Sequence, residues 1–480
     1  MVDRMQRFSR LDLTLIHEAS VDILRSTGVD FKSPRITEIF ERHGFRTDGT
    51  RVFFRETQIA SALATVPERF TLHARNPEFS VDIGGDDFVF LPTGGAPFIA
   101  GVDGSRRIAT MADFNTCCKL VQTSDQLDLG GYIMVQPGDI PPGLAHLDMM
   151  AAHMTLCDKP VFGASANGTT IRDTLRMTEI LFGGNLSFDT THAVIAVVNV
   201  TSPLQFAPEQ AEVIIELAHH RQPVVISNMM LAGATGPVDP ATFLALMNAE
   251  ILSGIVFTQL LSPGTPVVYG TSSTPMDMKT MMSAAGAAEA IKISSAAIQL
   301  AAFYKLPCRT GGSLTDAHLP DAQALAEGAL TLSNAVRTGA HFIYHACGQM
   351  GSYGTMSFEK WLMDEEVCRI VRQMIAPITI EKEGFNLRAV ADVGSGGQYL
   401  THPSTFENFR SLSSPVLFNR KDHSKWVANG AHTVHEVAAS HLEKRLKDFR
   451  KPGLDPAIEA ALNDYVIQRK ADTTEAGQVA

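Results

Sequence analysis

Residues 306–354 read LPCRTGGSLTDAHLPDAQALAEGALTLSNAVRTGAHFIYHACGQMGSYG. The stretch divides into strand, loop, helix, strand and loop. Each of its two short strands ends on a residue that an apolar core would not select. These are Arg309 in Pro-Cys-Arg-Thr and His345 in Phe-Ile-Tyr-His. In a parallel α/β protein the carboxyl ends of the strands carry the ligand site. Two consecutive units therefore bring a guanidinium and an imidazole to one edge, with Tyr344 and Tyr353 beside them. An arginine fork fits a carboxylate or phosphate, and aromatic faces fit a cation. Together they fit a small zwitterion.

The same alternation extends outward from this stretch. Strands are expected at 87–91, 127–135, 160–164, 193–198, 223–227, 266–270, 307–310 and 341–345. Helices are expected between them at 111–124, 142–157, 168–182, 208–220, 240–261, 284–304 and 321–338, with another at 358–374. Repeated strand and crossover helix demand a parallel sheet. Eight repeats close into a (β/α)8 TIM barrel. Pro160, Pro223, Pro266 and Pro307 each open a predicted strand, where a missing N–H does least harm. The barrel is expected over 86–375, behind a helical N-terminal extension at 1–85. A mixed C-terminal extension at 376–470 is expected to pack on the barrel, with His402, Phe406, Phe409 and Trp426 against its mouth, ahead of a disordered tail at 471–480.

Composition excludes several functions. A net charge of −11 with no basic block argues against nucleic-acid or anionic-membrane surfaces. No window holds 18 consecutive apolar residues, so no membrane span is expected. The N-terminus lacks an apolar signal core, which suggests a cytoplasmic protein. Six scattered cysteines form no C-x-x-C pair and read as reduced core thiols. Cys308 and Cys347 stand out only because each neighbours a candidate site residue.

The predicted strand ends are small, neutral and rich in hydroxyl and amide groups, as in Pro92-Thr-Gly-Gly, Asn228-Met-Met and Thr271-Ser-Ser-Thr. Turn formation explains the glycine and proline. It does not explain the scarcity of carboxylates, and no metal-ligand set is evident. Arg309 has a structural salt bridge as its alternative reading, and His345 a satisfied core histidine. Strand alternation points only one of Tyr344 and His345 inward, and His345 is the expected one. Tyr132 and Tyr269, near other strand ends, are candidate walls of an aromatic cage.

Several stretches resemble the trimethylamine methyltransferase superfamily. They are GGSLTDAHLPDAQ (311–323), SFEKWLMDEE (357–366), GGQYLTHPST (396–405), GLAHLDMMAA (143–152) and KPVFG (159–163). The likeness extends over essentially the whole chain, and the absence of pyrrolysine places it with the non-pyrrolysine branch. The resemblance implies a barrel enzyme of one-carbon metabolism that passes a methyl group from a quaternary amine, such as glycine betaine, to a corrinoid (cobalamin). That corrinoid is carried by a separate partner protein and not held tightly by this chain. It implies that Arg309 and His345 bind the substrate and that Tyr353 approaches it, with His345 the catalytic candidate and Tyr344, Gly94 and Gly95 nearby. It also implies an acidic residue in the first-strand loop, and Pro92-Thr-Gly-Gly-Ala-Pro carries none. A homo-oligomer is compatible with this reading. The residues alone leave open a lyase- or aldolase-type barrel, or a betaine-binding protein without catalysis.

Overall fold

The computed structural model describes residues 4–475 apart from 379, 382, 383 and 413. Three helices, α1 (Arg10–Ser26), α2 (Pro34–Arg42) and α3 (Glu56–Leu63), precede a ring of eight parallel strands. The strands are β1 (Val89–Phe90), β2 (Gly130–Gly131), β3 (Val161–Phe162), β4 (Val194–Val200), β5 (Val224–Asn228), β6 (Val267–Gly270), β7 (Cys308–Gly311) and β8 (Phe342–Tyr344). Parallel pairing runs from β2 in chain order to β8 and then to β1. The ring closes where Asp128 donates its N–H to Phe90 O at 2.9 Å and its carboxylate accepts the Phe90 N–H at 2.7 Å. Each of the four strand-opening prolines sits one residue ahead of its observed strand.

Helices alternate with the strands: α4 (Met111–Gln122), α5 (Ala145–Leu156), α6 (Gly168–Leu181), α7 (Pro208–His219), α8 (Pro240–Leu261), α9 (Ala288–Phe303), α10 (Ala322–Thr338) and α11 (Phe358–Ile375). Their starts are written locally. Thr110 and Asn167 form capping boxes, and the side chains of Asp321 and Ser357 accept from the first turns of α10 and α11. The 22-residue α8 is apolar enough to match a membrane span in composition, but 83% of that window is buried in this molecule. It is sandwiched between barrel strands on one side and α1 and α3 on the other, so apolar residues surround it on all faces.

Strand alternation divides the apolar core into two layers. Val89, Leu91, Leu129, Phe162, Ile195, Val225, Val268 and Phe342 fill the barrel interior. Their neighbours along each strand, such as Phe90, Val194, Val224, Val267 and Tyr269, belong to the layer between strands and helices. Phe70, Leu72 and Ile83, from an antiparallel pair at 69–72 and 81–84, join the interior cluster. The N-terminal region is thus not wholly helical. A second small sheet, of 29–30, 46–48 and 51–53, also belongs to it. Loop strands at 98–100, 106–108, 349–350 and 355–356 form a further sheet built from the loops after β1 and β8.

The C-terminal region is helical rather than mixed: α12 (Leu387–Val393), α13 (Pro403–Asn408), α14 (His423–Ala428), α15 (Val434–Asp448) and α16 (Pro456–Glu475). Helix α15 packs on α11, and α16 on α5 and α6. Among the described residues the contacts expected of Phe406, Phe409 and Trp426 at the barrel mouth do not form, and His402 Nδ1 meets Ser404 Oγ at 2.7 Å. Phe406 is 79% exposed, Phe409 is exposed, and Trp426 Nε1 donates to His432 O within its own turn. Helix α16 runs past the tail boundary expected at 471, and residues 476–480 lie outside the described residues.

Asp173 on α6 anchors α16. It accepts from His146 Nε2 at 2.9 Å, Tyr465 Oη at 2.7 Å and Arg469 Nε at 2.8 Å. Burial alone would push this carboxyl up, but those bonds outweigh it and hold it at about 2. A folded-state value below the ordinary 3.8 means that the contribution is fully present above 3.8 and disappears as pH falls through 2. That contribution is worth about 2 kcal/mol. Asp173→Ala, which removes the buried carboxylate shared by His146, Tyr465 and Arg469, is expected to cost roughly 3–5 kcal/mol in thermal or urea unfolding. The penalty should shrink when unfolding is measured in the acid range.

Candidate active site

Arg309 is the centre of the barrel's carboxyl end. Its neighbours Cys308 and Thr310 face away from the interior, and alternation turns Arg309 inward. The residue is 2% exposed. Its Nη1 donates to Thr271 O at 2.6 Å and to Ser272 Oγ, and Nε has no acceptor among the described residues. The guanidinium carbon lies 5.2 Å from the Tyr344 ring centroid. Burial lowers its pKa, and the groups that oppose this are the Tyr353 and Tyr344 hydroxyls and the Cys308 thiol. No carboxylate is among them, so the salt-bridge alternative does not hold among the described residues. A buried cation with only neutral partners costs several kcal/mol, a cost that an anionic ligand would offset.

Strand β8 ends at Tyr344, not at His345. Tyr344 continues the inward parity of Phe342 and belongs to the interior cluster. His345 then adopts φ 62°, in the left-handed region. That one backbone rotation breaks the alternation, so both rings meet at the barrel's carboxyl end. Their rings stack with centroids 4.0 Å apart and 22° between planes. The expectation that His345 alone would face inward is corrected by this geometry. Tyr353, also left-handed at φ 78°, sets its ring edge-on to His345 at 5.1 Å. Phe162 meets Tyr344 edge-on at 5.2 Å.

Burial, and then the nearby Arg309 charge, hold the His345 pKa well below its ordinary value. That direction favours the neutral imidazole, and its Nδ1 has no partner among the described residues. Burial pushes the Tyr353 hydroxyl up to about 12, and its oxygen is likewise unpartnered. Arg309 Nε, the buried Ser227 Oγ and Ser313 Oγ, also on the barrel's carboxyl-end residues, likewise have no partner among the described residues. Buried polar groups are ordinarily satisfied, so these point to a ligand.

The loop after β1 closes on this group. A Cβ on Gly94 would stand 2.0 Å from Tyr344 Oη, so only glycine fits there. Gly95 has φ 76° and donates to Ile133 O at 2.6 Å. Gln349 Oε1 accepts from Thr93 Oγ1 at 2.7 Å and from Gly94 N at 3.3 Å, tying the loop to the segment after β8. Tyr132 is half-buried, and its hydroxyl acts on that of Tyr344. Tyr269 is not a cage wall. It faces the helices, where its hydroxyl donates to Asn248 Oδ1 at 2.9 Å. Cys308 and Cys347 are buried thiols with raised pKa values, Cys347 Sγ lying 3.9 Å from Cys368 Sγ.

Sequence reading missed the support beneath Arg309. Asn228 Nδ2 donates to the buried Glu250 at 2.8 Å, and its Oδ1 accepts from Thr271 Oγ1 at 2.9 Å and Ser273 Oγ at 3.0 Å. This network fixes the segment whose Thr271 O and Ser272 Oγ hold the guanidinium. The amide- and hydroxyl-rich strand ends were its only trace in the sequence. Among the described residues, no group of three or more His, Cys, Asp or Glu is placed to hold a metal ion.

Gly94→Ala is expected to displace the Tyr344 ring. Near-UV circular dichroism should change while the far-UV spectrum stays as in the parent. The overpacking should cost about 1–3 kcal/mol in unfolding. An unchanged tyrosine signal would remove the role assigned to this glycine.

Comparison with known proteins follows the same lines. The family profile for trimethylamine methyltransferase (MTTB) matches residues 1–474. The chain is 36% identical over 461 residues to the glycine betaine methyltransferase of Desulfitobacterium hafniense strain Y51, covering 96% of each protein. It is 30% identical over 470 residues to the proline betaine:corrinoid methyltransferase of Eubacterium limosum, covering 95% of this chain and 96% of the relative. It is 30% identical over 462 residues to the trimethylamine methyltransferase MttB of Desulfitobacterium hafniense strain DSM 10664 / DCB-2, covering 96% of this chain and 93% of that one. A barrel of eight alternating units, matched end to end by one profile, belongs to the trimethylamine methyltransferase (MTTB) family of methyltransferases.

Proposed function

We propose that this chain moves a methyl group from a small quaternary amine bearing a carboxylate, glycine betaine or a related betaine, to the Co(I) of a corrinoid carried by a separate protein. Arg309 carries the donor class: a buried guanidinium, held only by neutral oxygens, beside the stacked rings of Tyr344 and His345. The acceptor class is supported by two relatives, named as proline betaine:corrinoid and L-carnitine:corrinoid methyltransferases.

The chemistry asks little acid–base work of the protein. A quaternary ammonium releases its methyl group by breaking one C–N bond, with the electron pair staying on nitrogen. The leaving group is a neutral tertiary amine and needs no proton. The reduced corrinoid supplies the electron pair that takes up the methyl carbon. The chain's residues therefore bind and orient the donor. Arg309 Nε and the remaining guanidinium N–H groups are the donors for a carboxylate. A neutral His345 adds a hydrogen bond to that carboxylate without repelling the ammonium, as an imidazolium would. The faces of Tyr353 and Tyr132 attract the methylammonium by about 0.5–2 kcal/mol each when desolvated, and Tyr344, stacked on His345 and lying beneath the Arg309 guanidinium, orders the carboxylate end.

The test is an anaerobic methyl-transfer assay with a reduced corrinoid protein as acceptor, offering glycine betaine, proline betaine, carnitine and trimethylamine in parallel. A betaine should give the methylated acceptor, read by its absorbance. Arg309→Ala should lower kcat/KM by roughly a hundredfold or more, because it strips the carboxylate of a buried charged partner. Transfer from trimethylamine alone, untouched by Arg309→Ala, would remove the carboxylate clamp. Betaine binding by calorimetry with no transfer would favour a binding protein.

His345→Gln keeps a neutral hydrogen-bonding group and should retain more activity than His345→Ala. Equal loss in both would assign the imidazole a role beyond hydrogen bonding.

A further inference from the structure

We infer that Lys360 and Asp364, one turn apart on α11, are positioning residues that hold the two site loops in register and so set the orientation of His345. The inference rests on the site and reaction proposed above. Neither residue touches the site itself.

The pair is fully enclosed: Lys360 Nζ and Asp364 Oδ2 are 2.6 Å apart, and the side chains are 0% and 1% exposed. Each partner makes one further bond, and each goes to a different loop. Lys360 Nζ donates to Ser313 O at 3.2 Å, in the loop after β7. Asp364 Oδ2 accepts from Gly348 N at 2.8 Å, in the loop after β8. Those loops are themselves joined at the site residues. Ser313 N donates to His345 O at 2.9 Å, and Gly312 N donates to Tyr344 O at 2.7 Å. The left-handed turn at His345 is thus clamped from outside the ring by one ion pair that spans both loops.

Two observations argue that this pair is kept for geometry. A buried ion pair is often no more stable than well-packed apolar residues of the same volume. Burial pushes the Asp364 carboxyl up to about 6 although Lys360 beside it opposes the shift, and Asp364 Oδ1 has no partner. The second observation is Gly328, in the middle of α10. A Cβ there would lie 3.3 Å from Ser313 Cβ, 3.5 Å from Lys360 Nζ and 3.6 Å from Asp364 Oδ1. Only the approach to Ser313 is closer than ordinary van der Waals contact, so a residue poorly suited to a helix interior stands where the loop after β7, which Lys360 holds, packs most tightly.

Two double variants separate positioning from bulk stability. Lys360→Met with Asp364→Leu removes the buried charges and both loop bonds. Lys360→Met with Asp364→Asn also removes the charges but keeps an acceptor for Gly348 N. Each is compared with the parent by thermal unfolding, by the carbon-13 imidazole signal of His345 (assigned with His345→Gln), and by kcat and KM for the betaine donor. The leucine variant should unfold near the parent's midpoint yet show a shifted His345 signal. Its kcat/KM should fall by roughly ten- to a hundredfold, as expected for misplaced substrate contacts. The asparagine variant should restore most of the signal and of the activity. If the leucine variant does not fold, the asparagine variant decides through the bond to Ser313 O that it still lacks: a His345 signal displaced part-way from the parent's, with a kcat/KM roughly several-fold lower, supports the clamp, and values identical to the parent's overturn it. Parent-like His345 signals and kinetics in a folded leucine variant would overturn the inference. So would equal losses in both variants that track their unfolding midpoints. Should the parent transfer no methyl group from any donor, the reaction proposed above fails, and the His345 signal still decides whether the pair positions the loop.

Discussion

A guanidinium at the end of a barrel strand, shut away from water and given no counter-charge among the described residues, is the constraint around which the rest of this structure is arranged. Arg309 can remain charged there only because its neighbours supply oriented neutral dipoles, the carbonyl of Thr271 and the hydroxyl of Ser272. Those are held in turn through Asn228 to Glu250 on α8. The surrounding titratable groups are all pushed to their uncharged forms: His345 down, Tyr344 and Tyr353 up. In such a low-dielectric pocket an anionic group brought by a ligand interacts far more strongly than it would in water.

The site's shape comes from a break in strand periodicity. A strand continued through His345 would send that ring to the helices and leave Tyr344 alone inside. The left-handed φ at His345 instead stacks the two rings, and the left-handed turn at Tyr353 adds a third ring edge-on. Non-glycine residues hold such angles at a cost of about 1–3 kcal/mol and persist only where the surroundings over-determine them. Here the surroundings are the backbone bonds from Gly312 and Ser313 on one side and to Leu91 and Pro92 on the other. Gly94 completes the fit by leaving no Cβ against the Tyr344 hydroxyl.

Helix α11 links this site to the C-terminal region. Its inward residues Lys360 and Asp364 reach the site loops, while Glu365 accepts from Arg445 of α15 and from Trp361 Nε1. Beyond α11 the chain turns outward, and Ile378, Leu400 and Phe406 are 88%, 80% and 79% exposed. The apolar character of that segment suggested packing against the barrel mouth. Hydrophobicity alone names neither a partner surface nor its place, so the sequence could not reveal that these side chains face outward.

The sequence by itself determined the barrel. Eight strand–helix repeats, four of them opened by proline, leave a parallel ring as the arrangement that buries every strand, and the observed strands fall on the predicted ones. It also marked Arg309 and His345, because a charged or polar residue ending an apolar strand has no use in a core. What the tertiary structure decided was direction and company. Tyr269 looked equivalent to Tyr344 at a strand end, yet one faces the helices and the other the interior, because parity relative to the barrel axis is set by register. That the rings of Tyr344 and His345 meet at the barrel's carboxyl end follows from one backbone angle that periodicity cannot foresee. The partners of Arg309, lying just after β6 and held through Asn228 of β5 to Glu250 on α8, are brought to it only when the ring closes, since hydrogen bonds between residues far apart in the chain leave no local pattern to read.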